Sequence, residues 1–212
     1  MKDAIIYLLI IFGGFILGNI PFSYLIPKLF LKKDICIESD DHNPGAANAF
    51  KLCGPIVGMT CLIFDFGKGY APVLLAYKLV SADNILFSAV MIAPVLGHAT
   101  GMFMHFKGGK CIASAFGTVA AVLPETRVGL ILAGVYILFS TVFKITPNTK
   151  RSIAAFSVFG VLSFVILICE GQLPIALGCA GISLIAIYRH KKSAGAFAAS
   201  AESETDAKAE EV

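Results

Sequence analysis

The chain has 212 residues, of which 57% are hydrophobic and only 15% are charged, and its formal net charge at pH 7 is +3. Soluble domains carry about 25% charged residues, so this composition excludes an ordinary water-soluble domain. The small net charge gives little support to nucleic-acid binding. The six cysteines form no C-x-x-C pair, so we expect neither a zinc nor a redox site, and no cofactor.

Apolar residues are grouped in long blocks, and a bilayer core about 30 Å thick needs roughly 20 apolar residues per helix. The second block contains Asp65, Lys68 and Pro72, so it is predicted to be bent or broken. The fourth block is short for a full span. The pattern predicts an all-α polytopic membrane protein whose domain covers residues 1–192, with seven transmembrane helices at residues 4–26, 55–80, 84–106, 111–123, 126–143, 152–169 and 173–188.

Basic residues are concentrated in loops that seven spans place on one side of the membrane. Of the basic residues outside the apolar blocks, the opposite side holds Lys2 and Arg127. Because cytoplasmic loops are enriched in Lys and Arg, the N-terminus is predicted to lie outside and the C-terminus in the cytoplasm. Residues 193–212 are polar and rich in Ala, Glu and Ser, which predicts a disordered cytoplasmic tail.

Three polar stretches map to the predicted cytoplasmic side. In the run from Lys107 to Lys110, paired glycines before a predicted helix favour a phosphate cradle, although the run also fits a turn whose lysines anchor helix ends at the headgroups. Lys68 lies three residues after Asp65 inside an apolar block, which fits either a cation facing an anionic substrate or a structural ion pair. His98 fits a packed side chain or a catalyst.

The remaining polar stretch, residues 43–51, contains two asparagines, a glycine and a terminal lysine. Its Asn-Pro-Gly peptide is a turn signal, and the segment after it is predicted to begin a short helix. In the first block, Gly14 and Gly18 form a small-xxx-small pair, which predicts close helix packing.

Four segments, at residues 18–26, 43–48, 65–69 and 97–110, resemble in order the motifs of the bacterial membrane glycerol-3-phosphate acyltransferases that use acyl phosphate. The resemblance implies a seven-helix enzyme of the inner (cytoplasmic) membrane with its active site on the cytoplasmic side. Such an enzyme moves a fatty acyl group from acyl phosphate to the 1-hydroxyl of glycerol 3-phosphate. The products are lysophosphatidic acid and phosphate, so the reaction belongs to phospholipid biosynthesis. The expected surroundings of the enzyme are membrane lipids.

The resemblance also implies roles for individual residues. Catalytic roles fall to His98, Asn48 and Lys110. Substrate binding falls to a second set: Asn43, Gly45, Lys51, Lys68, Lys107, Gly108, Gly109 and Ser114. No metal or cofactor is implied.

The chain departs from the family pattern at several positions. Asp41 stands where the family has a serine, and a carboxylate cannot imitate a neutral hydroxyl donor. Lys51 replaces an arginine, which keeps the charge and loses the bidentate fork. Cys111 replaces a glycine, and the C-terminal motif survives only from Arg189 to Lys191. These changes leave open a divergent paralogue with another phosphorylated substrate, an inactive scaffold, or a lipid-binding paralogue.

A transporter of small phosphorylated anions is the alternative from another class, because glycine-interrupted helices and an intramembrane lysine suit it as well. A transporter predicts polar residues in both halves of the membrane and an inverted repeat, whereas the polar groups of this chain cluster at one face.

Overall fold

The computed structural model describes residues 2–123 and 126–210, with side chains through Gly195. In these residues the chain forms ten α-helices, one 3₁₀ turn and no strand, which confirms the all-α class. The helices are α1 (Lys2–Asn19), α2 (Phe22–Leu31), α3 (Ile35–Glu38), α4 (Ala46–Cys53), α5 (Pro55–Leu79), α6 (Leu86–Thr100), α7 (Ile112–Ala121), α8 (Val128–Thr141), α9 (Asn148–Cys169) and α10 (Leu173–Glu210).

The outer surface of the helices is apolar. Leu9 is 66% exposed, Phe30 79% and Ile56 82%. Contiguous apolar surface of this kind is costly in water and is matched by lipid. Among the described residues, five segments are long and apolar enough to cross a membrane: Lys2–Asn19, Pro55–Leu79, Leu86–Met104, Asn148–Cys169 and Leu173–Gly195. The protein is therefore a multi-pass membrane protein.

Two of the predicted spans correspond to shorter helices. Helix α7 has 10 residues and α8 has 14, so at a rise of 1.5 Å per residue they are about 15 and 21 Å long. Neither alone matches a hydrocarbon core about 30 Å thick. The number of crossings therefore stays a prediction.

The first apolar block is not one helix. Helix α1 ends at Asn19 and α2 begins at Phe22, because Pro21 lacks a backbone N–H and disfavours a helical conformation at Ile20. The prediction of one continuous span over residues 4–26 is wrong here. The break frees the Ile20 carbonyl oxygen from the helical hydrogen-bond pattern.

The second apolar block is uninterrupted. Helix α5 runs through Asp65, Lys68 and Pro72 to Leu79, so the block is not broken there, and the predicted alternative of a bend stays a prediction. The polar side chains of Asp65 and Lys68 pair on one face of the helix, because side chains three positions apart are neighbours on an α-helix.

Small residues allow the central helices to approach closely. A Cβ on Gly18 would overlap the Pro94 backbone of α6, and one on Gly14 would lie 3.3 Å from Pro72 Cβ of α5. The packing role predicted for this glycine pair is confirmed. Gly69 of α5 likewise lies directly against the Ser114 backbone of α7, as small residues do in membrane helix pairs.

The core lies where α1, α5, α6, α7, α8, α9 and α10 meet, and its largest fully buried side chains include Tyr7, Phe87, Phe156 and Phe159. Helix α10 continues beyond residue 192 to Glu210. The last two residues of the predicted tail lie outside the described residues, and the boundary between membrane domain and tail stays a prediction.

Candidate active site

The polar residues gather where the break between α1 and α2, the start of α4, and the loop between α6 and α7 meet. A small cavity lies at this junction. Its lining brings together five of the residues predicted for the site with residues that were not predicted. The predicted ones are Lys68, His98, Lys107, Gly108 and Gly109.

Lys68 is buried and has two polar partners. Its Nζ lies 2.8 Å from Asp65 Oδ1 and donates a hydrogen bond of 2.8 Å to the Ile20 carbonyl. Asp65 accepts a further hydrogen bond from the Ser23 hydroxyl. The predicted pairing of Asp65 with Lys68 is confirmed, and the helix break at Pro21 supplies the carbonyl that completes it.

His98 lies near the end of α6, buried, with Nδ1 3.9 Å from Asp65 Oδ1. That separation allows an electrostatic interaction and is too long for a hydrogen bond. A Cβ on Gly109 would overlap His98 Nε2. Residues 107–110 form the glycine loop between α6 and α7. The imidazole is therefore held between the buried Asp65 carboxylate and this loop, with one edge at the cavity.

The glycine loop is tied to both neighbouring helices. The Gly109 N–H donates to the His98 carbonyl at 3.0 Å, so this N–H of the predicted phosphate cradle is already used within the protein. Arg189 of α10 donates to the carbonyls of Gly108 and Gly109. Lys107 lines the cavity from the same loop. These bonds fix the loop in place at the cavity wall.

Residues 43–45, from the segment that begins Asn-Pro-Gly, form a compact turn before α4. Gly45 is the N-cap of that helix, as predicted for the segment after the Asn-Pro-Gly turn. Asn48 is buried and donates from Nδ2 to the Asn43 carbonyl at 2.9 Å and to Asp41 Oδ1 at 2.7 Å. The amide of Asn48 is thus committed to its own loop.

Lys110 does not line the cavity. Its Nζ lies 2.7 Å from Asp41 Oδ2, in a pair that is partly open to solvent. Burial by itself would raise the pKa of Asp41, but the hydrogen bonds from Lys110 and Asn48 outweigh it and hold that pKa below its usual value. Asp41 is therefore an anion at neutral pH.

Six predicted residues lie outside the lining of the cavity: Asn43, Gly45, Asn48, Lys51, Lys110 and Ser114. Lys51 pairs with Asp40 at 3.7 Å on the solvent-exposed side of α4. Ser114 is fully buried in α7, and its hydroxyl donates to the Cys111 carbonyl at 3.2 Å. Its backbone instead forms the close contact with Gly69.

Sequence reasoning gave no role at the site to Asn19 or Arg189, which the structure places there. Asn19 lines the cavity, and its Oδ1 accepts from the Met102 N–H at 2.7 Å and from the Thr100 hydroxyl at 3.1 Å. A polar residue at the end of an apolar helix was the signal for Asn19. The described residues hold no group of three His, Cys, Asp or Glu side chains that could bind a metal ion.

A wider cleft of about 400 Å³ lies beside the glycine loop, between α6 and α10. Its walls are mostly apolar, with Leu96, Leu184 and Ile185 among them, and Arg189 and Lys192 also line it. The cleft combines an apolar surface with cationic groups next to the loop that borders the cavity.

The family model described as glycerol-3-phosphate acyltransferase matches residues 8–199 of the chain. The chain belongs to the glycerol-3-phosphate acyltransferase family. Among its relatives in this family are a glycerol-3-phosphate acyltransferase of Thermotoga petrophila, 42% identical over 60% of this chain and 64% of that protein, and one of Maridesulfovibrio salexigens, 31% identical over 85% and 87%. A second Thermotoga relative, of Thermotoga maritima, is 45% identical over half of this chain.

The alignments with the Thermotoga relatives span 64% and 53% of their lengths. Over the whole bundle, this member of the family resembles crystal structures of PlsY, an integral membrane glycerol 3-phosphate acyltransferase. The structure titled the glycerol 3-phosphate form gives a TM-score of 0.75 with 30% identity, covering 89% of this chain and 90% of that one. The structure titled the lysophosphatidic acid form gives 0.74 with the same coverage.

Proposed function

We propose that the protein is an acyltransferase that moves a fatty acyl group from acyl phosphate to the 1-hydroxyl of glycerol 3-phosphate, in phospholipid biosynthesis. The observation that carries this proposal is the common cavity: Lys68, His98 and Lys107, with both glycines of the loop, come from three separate segments. Cationic and polar groups meeting at one point beside an apolar cleft suit a reaction between two phosphate anions, one of which bears an acyl chain.

The proposed reaction is direct acyl transfer. The glycerol 1-hydroxyl oxygen attacks the acyl carbon, a C–O ester bond forms, and the bond from that carbon to the phosphate oxygen breaks to release inorganic phosphate. Acyl phosphate is an activated anhydride, so positioning and charge stabilisation supply most of the rate. Lys68, Lys107 and Lys110 would hold the phosphates. As the resemblance implies, Asn48 and Lys110 would have catalytic roles, and substrate binding would also involve Asn43, Gly45, Lys51 and Ser114.

The hydroxyl proton has two candidate acceptors: a substrate phosphate, with a second pKa of about 6, and His98. The His98→Ala variant separates them. If His98 is the base, kcat should fall by about 100-fold or more. A loss of only a few-fold would assign the proton to the phosphate.

We further propose seven crossings of the cytoplasmic membrane, with the N-terminus outside and the site on the cytoplasmic side. Helices α7 and α8 are short, but the proposed sidedness does not depend on them. If the pair only enters and leaves from the cytoplasmic side, five full spans still leave the two ends on opposite sides.

Native cysteines allow a test of this orientation. Cys169 is exposed at the end of α9, while Cys36 and Cys53 lie in the segment between α2 and α5. A membrane-impermeant thiol reagent added to intact cells should label a variant that retains only Cys169. Variants that retain only Cys36 or only Cys53 should react after permeabilisation; labelling of either in intact cells would reverse the orientation.

The activity test is an assay of the purified protein in lipid, with glycerol 3-phosphate as acceptor. Acyl phosphate, acyl-CoA and acylated carrier protein are offered as donors in parallel. We expect lysophosphatidic acid from acyl phosphate alone. Turnover with none of the three would defeat the proposal, and full activity of Lys110→Ala would defeat the assignment of that lysine.

A further inference from the structure

The carboxylate of Asp41 is bound by the cation and N–H donors that, in the proposed function, would bind a substrate phosphate. Its Oδ2 lies 2.7 Å from Lys110 Nζ, and its Oδ1 accepts from Asn48 Nδ2 at 2.7 Å and from the Asn43 N–H at 3.3 Å. One cation and two N–H donors around two anionic oxygens are the partners that a phosphate group also takes. The three donors belong to residues that the sequence assigned to the site.

The pair is accessible enough to be exchanged. The side chains of Lys110 and Asp41 are 19% and 30% exposed, so water can solvate both when they separate. A partly exposed ion pair contributes less net stability than a buried one, because solvent screens the charges and the side chains lose entropy. Breaking it to admit another anion is therefore inexpensive.

We propose that Asp41 is an affinity-determining residue: a built-in anion that competes with the phosphate group of the substrate for Lys110 and Asn48. This inference rests on the proposed function for the identity of the substrate, and on the geometry alone for the competition. A phosphate monoester enters by exchanging with the carboxylate, so its apparent affinity is lower than the same lysine would give without Asp41. No covalent step is involved.

Asp40 provides a matched control in the same loop. Its carboxylate pairs with Lys51 at 3.7 Å, and the two side chains are 84% and 72% exposed. Asp40→Asn and Asp41→Asn remove the same charge from adjacent positions with almost no change of shape. They differ in contact with Lys110, so the comparison separates direct competition from a general change of electrostatic potential.

The first measurement is binding of inorganic phosphate and of glycerol 3-phosphate to the purified full-length protein by calorimetry in detergent. Asp41→Asn should tighten binding by about 3- to 10-fold, the range expected for release of a half-exposed ion pair. Asp40→Asn should change it less than 2-fold. Unchanged or weaker binding by Asp41→Asn would overturn the inference and make Asp41 an organiser of the loop.

The second measurement uses turnover. For Asp41→Asn, KM for the substrate whose phosphate displaces Asp41 should fall while kcat stays within about 2-fold, and titrating glycerol 3-phosphate and acyl phosphate separately identifies that substrate. Asp41→Glu keeps the charge and should retain the weak affinity. In a Lys110→Met background Asp41→Asn should bring no gain; a gain there would contradict competition for this lysine.

Folding and function can be told apart in this design. Thermal unfolding of each variant in detergent reports folding, and Asp41→Ser serves if Asp41→Asn is not folded. Tighter phosphate binding by a variant without turnover would sustain the competition while the acyltransferase proposal fails. Turnover by Asp41→Asn with unaltered phosphate affinity would sustain the acyltransferase proposal and overturn the competition.

Discussion

Two lysine–aspartate pairs at the site are alike in distance and differ in environment. Lys68 and Asp65 lie 2.8 Å apart with side chains 1% and 2% exposed, whereas Lys110 and Asp41 lie 2.7 Å apart with 19% and 30% exposed. Removing one partner of a buried pair leaves a charge without a counter-ion and without water. In a partly exposed pair, water solvates the charge that remains. Burial, more than distance, decides whether an ion pair maintains the fold or can be exchanged for a ligand.

The partners around each pair reinforce this difference. Asp65 also accepts from Ser23, and Lys68 also donates to the Ile20 carbonyl, so the buried Lys68–Asp65 pair (the inner pair) links α5 to α2 and to the break between α1 and α2. The outer pair joins two loops. The following predictions test whether burial separates the two pairs, in descending order of expected effect.

The inner pair should show the largest effect. Asp65→Ala leaves the Lys68 ammonium buried without its counter-ion, so we expect the free energy of unfolding in detergent to fall by about 3–5 kcal/mol. The Asp65→Leu/Lys68→Met double variant removes both charges and should recover most of this loss. A single variant as stable as the parent would show that the pair is dispensable to the fold.

The glycine loop belongs with the rigid inner pair. A Cβ at Gly109 would overlap His98 Nε2, so Gly109→Ala must displace the loop or the imidazole. A misplacement of about 1 Å can cost about 100-fold, and we expect a loss of that order in kcat. Gly13→Ala, where nothing lies within 4 Å of the new Cβ, should keep full activity. Equal activity of the two variants would contradict a fixed loop.

An ion pair of intermediate exposure joins Lys28 and Asp34 at 3.2 Å. Asp34 is also the N-cap of α3, where its side chain accepts from the backbone N–H groups of Cys36 and Ile37. Asp34→Ala should lower the free energy of unfolding by about 1 kcal/mol through loss of the cap. Asp34→Asn keeps the cap and should lose less; a larger loss for Asn would place the stabilisation in the charge.

The most exposed pair should show the smallest effect. Lys51 and Asp40 are separated by 3.7 Å in solvent, and such pairs contribute about 0–1 kcal/mol. Lys51→Met should therefore leave the free energy of unfolding almost unchanged, as measured by thermal denaturation in detergent. A loss approaching that of Asp65→Ala would remove burial as the distinction between the pairs.

The all-α class, the small-residue packing of α1, and the pairing of Asp65 with Lys68 were predictable, because hydropathy, residue size and helical spacing act over short stretches of sequence. The same holds for the start of α4 at Gly45. The helix break at Pro21 was not predictable from hydropathy, because a proline near the end of an apolar block leaves the hydropathy pattern unchanged. In α5 the pairing of Asp65 with Lys68 lets the helix continue without a break.

The partners of Asp41 could not be read from the sequence. The residue was recognised as a departure from the family pattern, but its contact with Lys110 joins positions 69 residues apart. Contacts of Arg189 with the glycine loop span a similar distance. Such pairs follow from how the helices pack, and a single sequence does not report that packing.

The freed carbonyl at Ile20 means that a main-chain atom completes the coordination of Lys68. Every amino acid carries that backbone oxygen. Replacing Ile20 by alanine therefore leaves the hydrogen bond to Lys68 intact, and an alanine scan does not detect the contact. What specifies the contact is the neighbouring imino acid, whose ring ends the helix. The residue that supplies the oxygen and the residue whose substitution would remove the contact are therefore adjacent, and mutational mapping would assign the effect to the proline that ends the helix.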